Sequence, residues 1–203
     1  MIGAKLPEIG EPVWGLAHLF PYQGGWSETE YLALNANLLI ELSQGCLSLP
    51  PIPDFAHQGI VGYLLIALLD YCHEQGGGDV LPAPLPLKLG SGEYREPDLL
   101  YMSAQQRTAI VGDYPDRADL VMEVVMGNPE DRERDYVDKR RDYALAGIPE
   151  YWIVDPQEEV IFVLSLEGTE YVEHGRFRAG QTATSALLPG FSVPVTDVWA
   201  AAK

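Results

Sequence analysis

The hydrophobic and polar positions along the chain separate it into stretches with a helical period and stretches with the character of strands. Apolar residues recur at three- and four-residue steps from Phe55 to Glu74, which predicts a helix with one face in the core. Asp54 is placed to cap its start, and the glycines at 76–78 are placed to end it. The run Asp119–Met126 is apolar almost throughout, which instead predicts a buried strand.

The remaining pattern predicts a sheet flanked by helices. Residues 1–26 have no sustained period and are interpreted as an irregular leader, after which Ser27 and Glu30 form a capping box for a short helix. Further segments are predicted as a hairpin (38–49), a proline-interrupted edge strand (80–89), a strand after Pro97–Asp98, a helix (131–146), a strand (150–155) and a second hairpin (160–173). The order predicts an α+β fold with a central mixed sheet, and the chain has no linker long enough to split residues 1–203 into two domains.

Glu123 is the unusual residue of the predicted central strand. An ionised carboxylate taken out of water costs several kcal/mol, on the order of 3–5, unless it is paired, hydrogen-bonded or bound to a metal. Glu123 is therefore either a partner in a structural ion pair or a ligand.

Charge and cysteine content limit the classes of partner. The 30 acidic and 13 basic residues give a net charge of -17. Proteins that bind duplex DNA normally present a basic surface to the phosphates, so this charge argues against a broad DNA-binding surface. Arg132, Arg134, Lys139, Arg140 and Arg141 lie within ten positions, so any phosphate site is expected to be local. The acidic remainder either keeps the protein soluble or holds divalent cations.

The two cysteines are expected to be reduced thiols, and without an apparent signal peptide or membrane span we expect a cytoplasmic protein.

An ordered set of motifs resembles the PD-(D/E)XK nuclease superfamily, and within it the Uma-type restriction endonucleases. The pieces are Ile40-Glu-Leu with Gly45, His57-Gln58, Glu96-Pro-Asp-Leu, Asp119-Leu-Val-Met-Glu-Val, then Asp135, Lys139, Tyr143 and Gly147, and Glu150-Tyr-Trp-Ile-Val-Asp-Pro. Val125 stands where the superfamily motif has its lysine, and this branch carries the lysine on the following helix. The family's Ser-Pro-Ser-like turn is replaced here by Met126-Gly-Asn-Pro129.

The resemblance implies a restriction-endonuclease-like core and a metal-dependent endonuclease that hydrolyses DNA. Asp98 and Glu123 would hold Mg²⁺ or Mn²⁺ with the Val124 carbonyl as a further ligand, and Lys139 would assist the attacking water. Glu41 would add a carboxylate near the metal, and His57 would contact substrate or transfer a proton. By analogy with such nucleases, a homodimer is also expected.

Each of these residues also has a purely structural interpretation. Asp98 could bond backbone at a strand end, Lys139 could pair with Asp135 one turn away, Glu41 could lie on a strand face and His57 could bond to backbone. Asp119, Asp135 and Asp155 are interpreted preferably as caps or turn formers. Tyr151 and Trp152 are interpreted preferably as residues that pack in the core or in a dimer interface.

At the level of function, the alternative is a non-catalytic PD-(D/E)XK-like module that binds a protein or a nucleic acid. A glycosidase acid/base pair is weaker, because Lys139 would have no part in it.

Overall fold

A computed structural model describes residues 21–34 and 39–203, so most of the predicted leader and Leu38 of the predicted first hairpin lie outside the described residues. In chain order the elements are α1 (Glu28–Leu32), β1 (Glu41–Ser43), β2 (Cys46–Ser48), α2 (Phe55–Gln75), β3 (Asp79–Pro82), β4 (Leu87–Gly90), β5 (Glu93–Arg95), β6 (Leu99–Met102), α3 (Ala104–Thr108), β7 (Leu120–Val124), α4 (Pro129–Glu133), a π-helical turn (Arg134–Asp138), α5 (Lys139–Leu145), β8 (Glu150–Asp155), β9 (Val160–Glu167), β10 (Glu170–Arg178), β11 (Thr182–Thr184), β12 (Ser192–Pro194) and α6 (Val195–Ala200).

The main sheet within these residues has the strand order β10-β9-β8-β7-β6-β3. The β7 and β8 strands pair in parallel and their other neighbours pair antiparallel, which confirms the predicted α+β fold with a central mixed sheet flanked by helices. A second sheet has the order β2-β1-β5-β4, and β5 leads directly through Glu96 and Pro97 towards β6. This connection places the second sheet beside the β6 side of the first.

The alternation of side chains along β7 divides the core into two layers. Leu120, Met122 and Val124 pack in the layer that contains α2, whereas Val121 and Val125 pack in the layer that contains α5. Because successive strand residues point to opposite faces, Glu123 lies on the α5 face between the two valines. The strand period alone therefore directs Glu123 towards the helix that carries Lys139.

The α2 helix covers the other face of the sheet. It begins after Asp54, whose carboxylate accepts a hydrogen bond from the His57 N–H, and it ends at Gly76 in the left-handed conformation, as predicted. By length and composition this helix could cross a membrane, with a mean hydropathy of 1.3 over its most apolar window. Ile60, Leu64 and Leu68 are fully buried in the core, whereas Phe55, Ile66 and Leu69 of the same helix are exposed.

The predicted helix over 131–146 contains a π-helical turn at its centre. The Lys139 N–H bonds to the Arg134 carbonyl five residues back, which widens the backbone at this point. After this turn Lys139 and Tyr143 both point towards β7, and Asp135 lies one turn before Lys139. Turns of this type occur often at functional sites.

The other differences from the predicted elements are local. The segment predicted as one edge strand over 80–89 forms β3 at the edge of the main sheet and β4, with a register shift, at the edge of the second sheet. This division follows from prolines at 82, 84 and 86, which cannot donate to a ladder. The short helices α3 and α6 were not predicted, because each is too short to show a helical period in the sequence.

Candidate active site

Glu123 is the centre of a buried polar cluster on the α5 face of the sheet. Its Oε1 lies 2.8 Å from Lys139 Nζ and accepts a hydrogen bond of 2.5 Å from the Tyr143 hydroxyl. Both partners come from α5, one turn apart, and both are buried. The carboxylate that was unexplained in the sequence therefore has a cation and a hydroxyl donor on the same oxygen.

Lys139 joins three carboxylates from separate parts of the chain. Its ammonium lies 2.8 Å from Glu123, 3.2 Å from Glu41 Oε1 and 3.8 Å from Asp135 Oδ1, and the residue is only 2% exposed. Burial alone would lower the pKa of Lys139, but the charges of Glu123, Glu41 and Asp135 outweigh it and hold that pKa above its ordinary value. The lysine is therefore charged, and its Nζ is held in one place.

Glu41 holds this arrangement from the second sheet. It is fully buried, its Oε1 accepts the Glu96 N–H as well as facing Lys139, and its Oε2 lies 2.9 Å from Arg95. Arg95 extends the network by bonding Asp142 of α5 at 2.6 Å. Burial alone would raise the pKa of Glu41, yet Lys139 and Arg95 together hold it below its ordinary value. Both oxygens of Glu41 are thus already engaged by protein groups.

Asp98 approaches the cluster from the start of β6. Its Oδ2 accepts the Val124 N–H at 2.7 Å, which fixes the carboxylate beside the residue that follows Glu123. The same oxygen lies 3.2 Å from His57 Nε2 of α2. Burial lowers the pKa of His57, but the hydrogen bond to Asp98 and the charge of Asp98 raise it more, so the net shift is upward. The structure therefore places Asp98 in a pair with His57.

The acidic groups of the cluster perturb one another. Burial raises the pKa of Glu123, and the charges of Asp98, Asp135 and Glu41 add to this effect while Lys139 opposes it. Burial likewise raises the pKa of Asp135 to about 6, against the effect of Lys139 and Arg134, and its Oδ1 has no hydrogen-bond partner in the described part of the chain. Burial and the charge of Glu41 raise the pKa of Glu96 to about 7. Burial and the repulsion between carboxylates together hold the pKa values of Glu123, Asp135 and Glu96 above their ordinary values.

The residue types suit a hard divalent cation with few protein ligands. Across residues 21–34 and 39–203, no group of three or more His, Cys, Asp or Glu side chains has an arrangement that could hold a metal ion. Mg²⁺ needs only one or two carboxylates, because it retains several waters. Asp98 and Glu123 fit that requirement in chemistry. The buried Oδ1 of Asp135 lies 3.8 Å from Lys139 and 3.5 Å from Arg134 and makes no hydrogen bond in the described residues, so it is a further acceptor in the cluster.

Other residues singled out from the sequence lie away from this cluster or have structural contacts. Asp119 accepts the Ser103 N–H, and Asp155 accepts backbone N–H groups after β8 and pairs with Arg132, as expected for turn formers. Tyr151 and Trp152 are fully buried in the core. The five clustered cations are engaged separately: Arg132 with Asp155, Arg134 with Asp131, Lys139 in the cluster, Arg140 with the Tyr171 carbonyl, and Arg141 with Asp138 and Asp142.

Two contributors to the site, Arg95 and Glu96, have no role assigned to them from the sequence. Arg95 and Glu96 immediately precede Pro97–Asp98, and both are buried. Two adjacent charged residues at the end of a predicted strand, with Glu41 in a neighbouring strand, are the signal that could have indicated a buried ion pair. The pairing itself depends on β1 lying beside β5, which the local pattern does not predict.

Comparison with known proteins identifies the family of this chain and agrees with its fold. The family Uma2, described as "Putative restriction endonuclease", matches residues 26–196, which is most of the chain. The chain belongs to the Uma2 family. This Uma2 protein also resembles a crystal structure described as "a putative nuclease belonging to DUF820 from Anabaena variabilis ATCC 29413", with a TM-score of 0.70 and 13% identity over 87% of this chain and 99% of that chain. No curated protein matches it. Family membership supports a nuclease-like function, and the structural likeness confirms the fold.

Proposed function

We propose that this Uma2 protein is a Mg²⁺-dependent endonuclease that hydrolyses phosphodiester bonds in DNA, with Mn²⁺ able to replace Mg²⁺. Asp98 and Glu123 would hold the ion, and the Val124 carbonyl would be a third ligand. The observation that carries the proposal is the position of Lys139: it lies on the helix after the strand, yet its Nζ is 2.8 Å from Glu123 in the buried cluster.

The metal would supply Lewis-acid activation of the phosphate and a bound water of lowered pKa. Glu123 and Asp98 would orient that water by fixing where the ion binds. The Lys139 ammonium, held between Glu41 and Glu123, is placed to stabilise negative charge on an oxygen next to Glu123. His57 would hold a proton at Nε2 towards Asp98 and could release it towards a substrate oxygen.

The electrostatics of the free cluster favour this assignment. Glu123 experiences the charges of Asp98, Asp135 and Glu41, and Lys139 is the cation that opposes them most strongly. A divalent cation between Asp98 and Glu123 would relieve this repulsion, and it would reverse the local field so that a phosphate can approach an otherwise acidic protein. The net charge of -17 is therefore compatible with a nucleic-acid substrate at this one place.

The test is cleavage of supercoiled plasmid, linear duplex and single-stranded oligonucleotides by purified protein with Mg²⁺ or Mn²⁺. Asp98→Asn, Glu123→Gln and Lys139→Met are expected to lower the rate at least about 100-fold, as removal of a group that stabilises the transition state does. Glu130→Gln, at an exposed position of α4, is the matched control and should cleave normally. Circular dichroism and thermal melts verify that each variant is folded. Absence of cleavage of every substrate, together with unchanged metal binding and stability in Glu123→Gln, would refute the proposal.

A non-catalytic binding module remains the second candidate. The observation that favours it is the closed ion pair between Lys139 and Glu123, in which the Glu123 oxygen also accepts from Tyr143. Calorimetric titration of Mg²⁺ separates the two candidates: an endonuclease binds the ion and loses affinity in Asp98→Asn, whereas a pure binding module shows no such dependence. The homodimer stays a prediction, and sedimentation velocity is the measurement that decides it.

A further inference from the structure

A cavity of about 360 Å³ lies directly beside the candidate active site. Glu96 and Asp98, two residues apart on the connection into β6, both line it. Asp98 is therefore shared between the cavity and the proposed metal site. Any ligand in this cavity lies next to the place where a phosphate would be hydrolysed.

The walls of the cavity combine apolar and aromatic side chains with the polar groups of Gln58, Glu96 and Asp98. Tyr31 and Tyr114 contribute rings, and leucine, isoleucine and proline side chains make up the apolar part (Leu32, Leu34, Leu39, Ile40, Pro53, Pro84 and Pro86). Tyr31 is fixed in place because its hydroxyl donates to the Ile40 carbonyl and its ring packs against Tyr94. Such walls suit a flat, weakly polar ligand, and unstacked nucleobases are held between aromatic and apolar side chains in this way.

The Glu96 carboxylate contributes an unpaired hydrogen-bond acceptor to this cavity. Its N–H donates to Glu41 at 3.2 Å, so its backbone is tied to the buried cluster. Its carboxylate Oε2 is buried and has no hydrogen-bond partner in the described residues. An unpaired buried acceptor is costly, and a ligand that supplies an N–H would remove the cost.

We propose that this cavity binds one unstacked nucleobase that carries an exocyclic amino group, with Glu96 as the acceptor of an amino hydrogen. The requirement for an amino group follows from the hydrogen-bond pattern of the bases: cytosine, for example, presents an N4 donor, which suits a carboxylate, whereas thymine presents the O4 acceptor at the same place. The inference rests on the proposed nuclease function, since a base in the cavity is attached to the strand whose phosphate lies beside Asp98.

The test measures binding without cleavage, by fluorescence anisotropy of labelled single-stranded pentanucleotides on the full chain in EDTA, at a pH above the value of about 7 to which burial raises the pKa of Glu96, so that this carboxylate is ionised. The pentanucleotides carry one central cytosine or thymine in an otherwise identical abasic strand. We expect the native protein to favour cytosine about tenfold. Glu96→Gln should bring the ratio close to one, because an amide can donate to thymine O4 as well as accept from cytosine N4. Tyr114→Ala should weaken both strands, and the exposed control Glu74→Gln should retain the native ratio.

The possible results separate this inference from the proposed function. Equal binding of the two strands by the native protein, or an unchanged ratio in Glu96→Gln, would overturn the inference even if the protein cleaves DNA. Loss of Mn²⁺ binding in Glu96→Gln would also overturn it, by making Glu96 a cation ligand. Cytosine preference in a protein that cleaves nothing would support the base site and contradict the proposed catalysis.

Discussion

Replacement of Lys139 by methionine tests whether its ammonium stabilises the fold by neutralising the buried carboxylates of Glu123 and Glu41. The substitution keeps most of the side-chain volume and removes the ammonium that lies 2.8 Å from Glu123 and 3.2 Å from Glu41. Removing one partner of a buried ion pair costs about 3–5 kcal/mol, because the other charge stays buried and uncompensated. Glu41 retains Arg95 and Glu123 retains Tyr143, so we expect a loss near the lower end, about 3 kcal/mol.

Urea unfolding followed by tryptophan fluorescence measures this loss. For a chain of this size, about 3 kcal/mol corresponds to a lowering of Tm by about 6–12 °C. The double variant Glu123→Gln/Lys139→Met removes the orphaned charge and should be more stable than the sum of the two single losses predicts, by at least about 1 kcal/mol.

Arg141→Met is the matched control on the same helix. Arg141 pairs with Asp138 and Asp142 but its side chain is 51% exposed, and exposed pairs contribute about 0–1 kcal/mol. A loss below about 1 kcal/mol for Lys139→Met, or strict additivity in the double variant, would show that the cluster is solvated and refute the reasoning.

Three further predictions concern single side chains. Tyr143→Phe removes a buried donor to its acceptor carboxylate and should lower the free energy of unfolding by about 1–3 kcal/mol in urea titrations. The pKa of Glu96 is raised from 4.5 to about 7, so the folded state binds the extra proton and the native protein should lose stability as pH rises through that window. Glu96→Gln should therefore be more stable than the native protein above this window, by at most about 3 kcal/mol, and equal stability at high and low pH would contradict this. In α2, a Cβ at Gly59 would lie 2.0 Å from the Ala201 carbonyl oxygen, whereas Gly62 has open space. Gly59→Ala should thus lower Tm, and Gly62→Ala should raise the stability by about 0.5–1 kcal/mol.

Local patterns in the sequence were sufficient to predict most elements of this fold. The capping box at Ser27, the cap at Asp54 and the apolar run around Glu123 depend on residues close in sequence, so their structural consequences can be predicted without tertiary information. The α6 helix and the division of the 80–89 segment depend on packing between distant elements. These features could not follow from a local period.

The site shows the same division between local and distant causes. Asp98, Glu123 and Lys139 could be singled out from motif order, and the strand period is enough to place Glu123 on one face of the sheet. The partners of Lys139 depend on a π-helical turn and on β1 lying beside β5, neither of which the sequence pattern predicts. The Arg95–Glu41 pair joins residues 54 positions apart and appears only once both sheets are formed.

Anomalous diffraction from crystals soaked in Mn²⁺ is the measurement that tests the central claim most directly. The proposed function predicts one peak within bonding distance of oxygens of both Asp98 and Glu123, with Lys139 alongside, and loss of that peak in Asp98→Asn. A cluster without a peak in crystals of the native protein, or a peak bound elsewhere, would contradict the assignment of this buried cluster as a metal-dependent nuclease site.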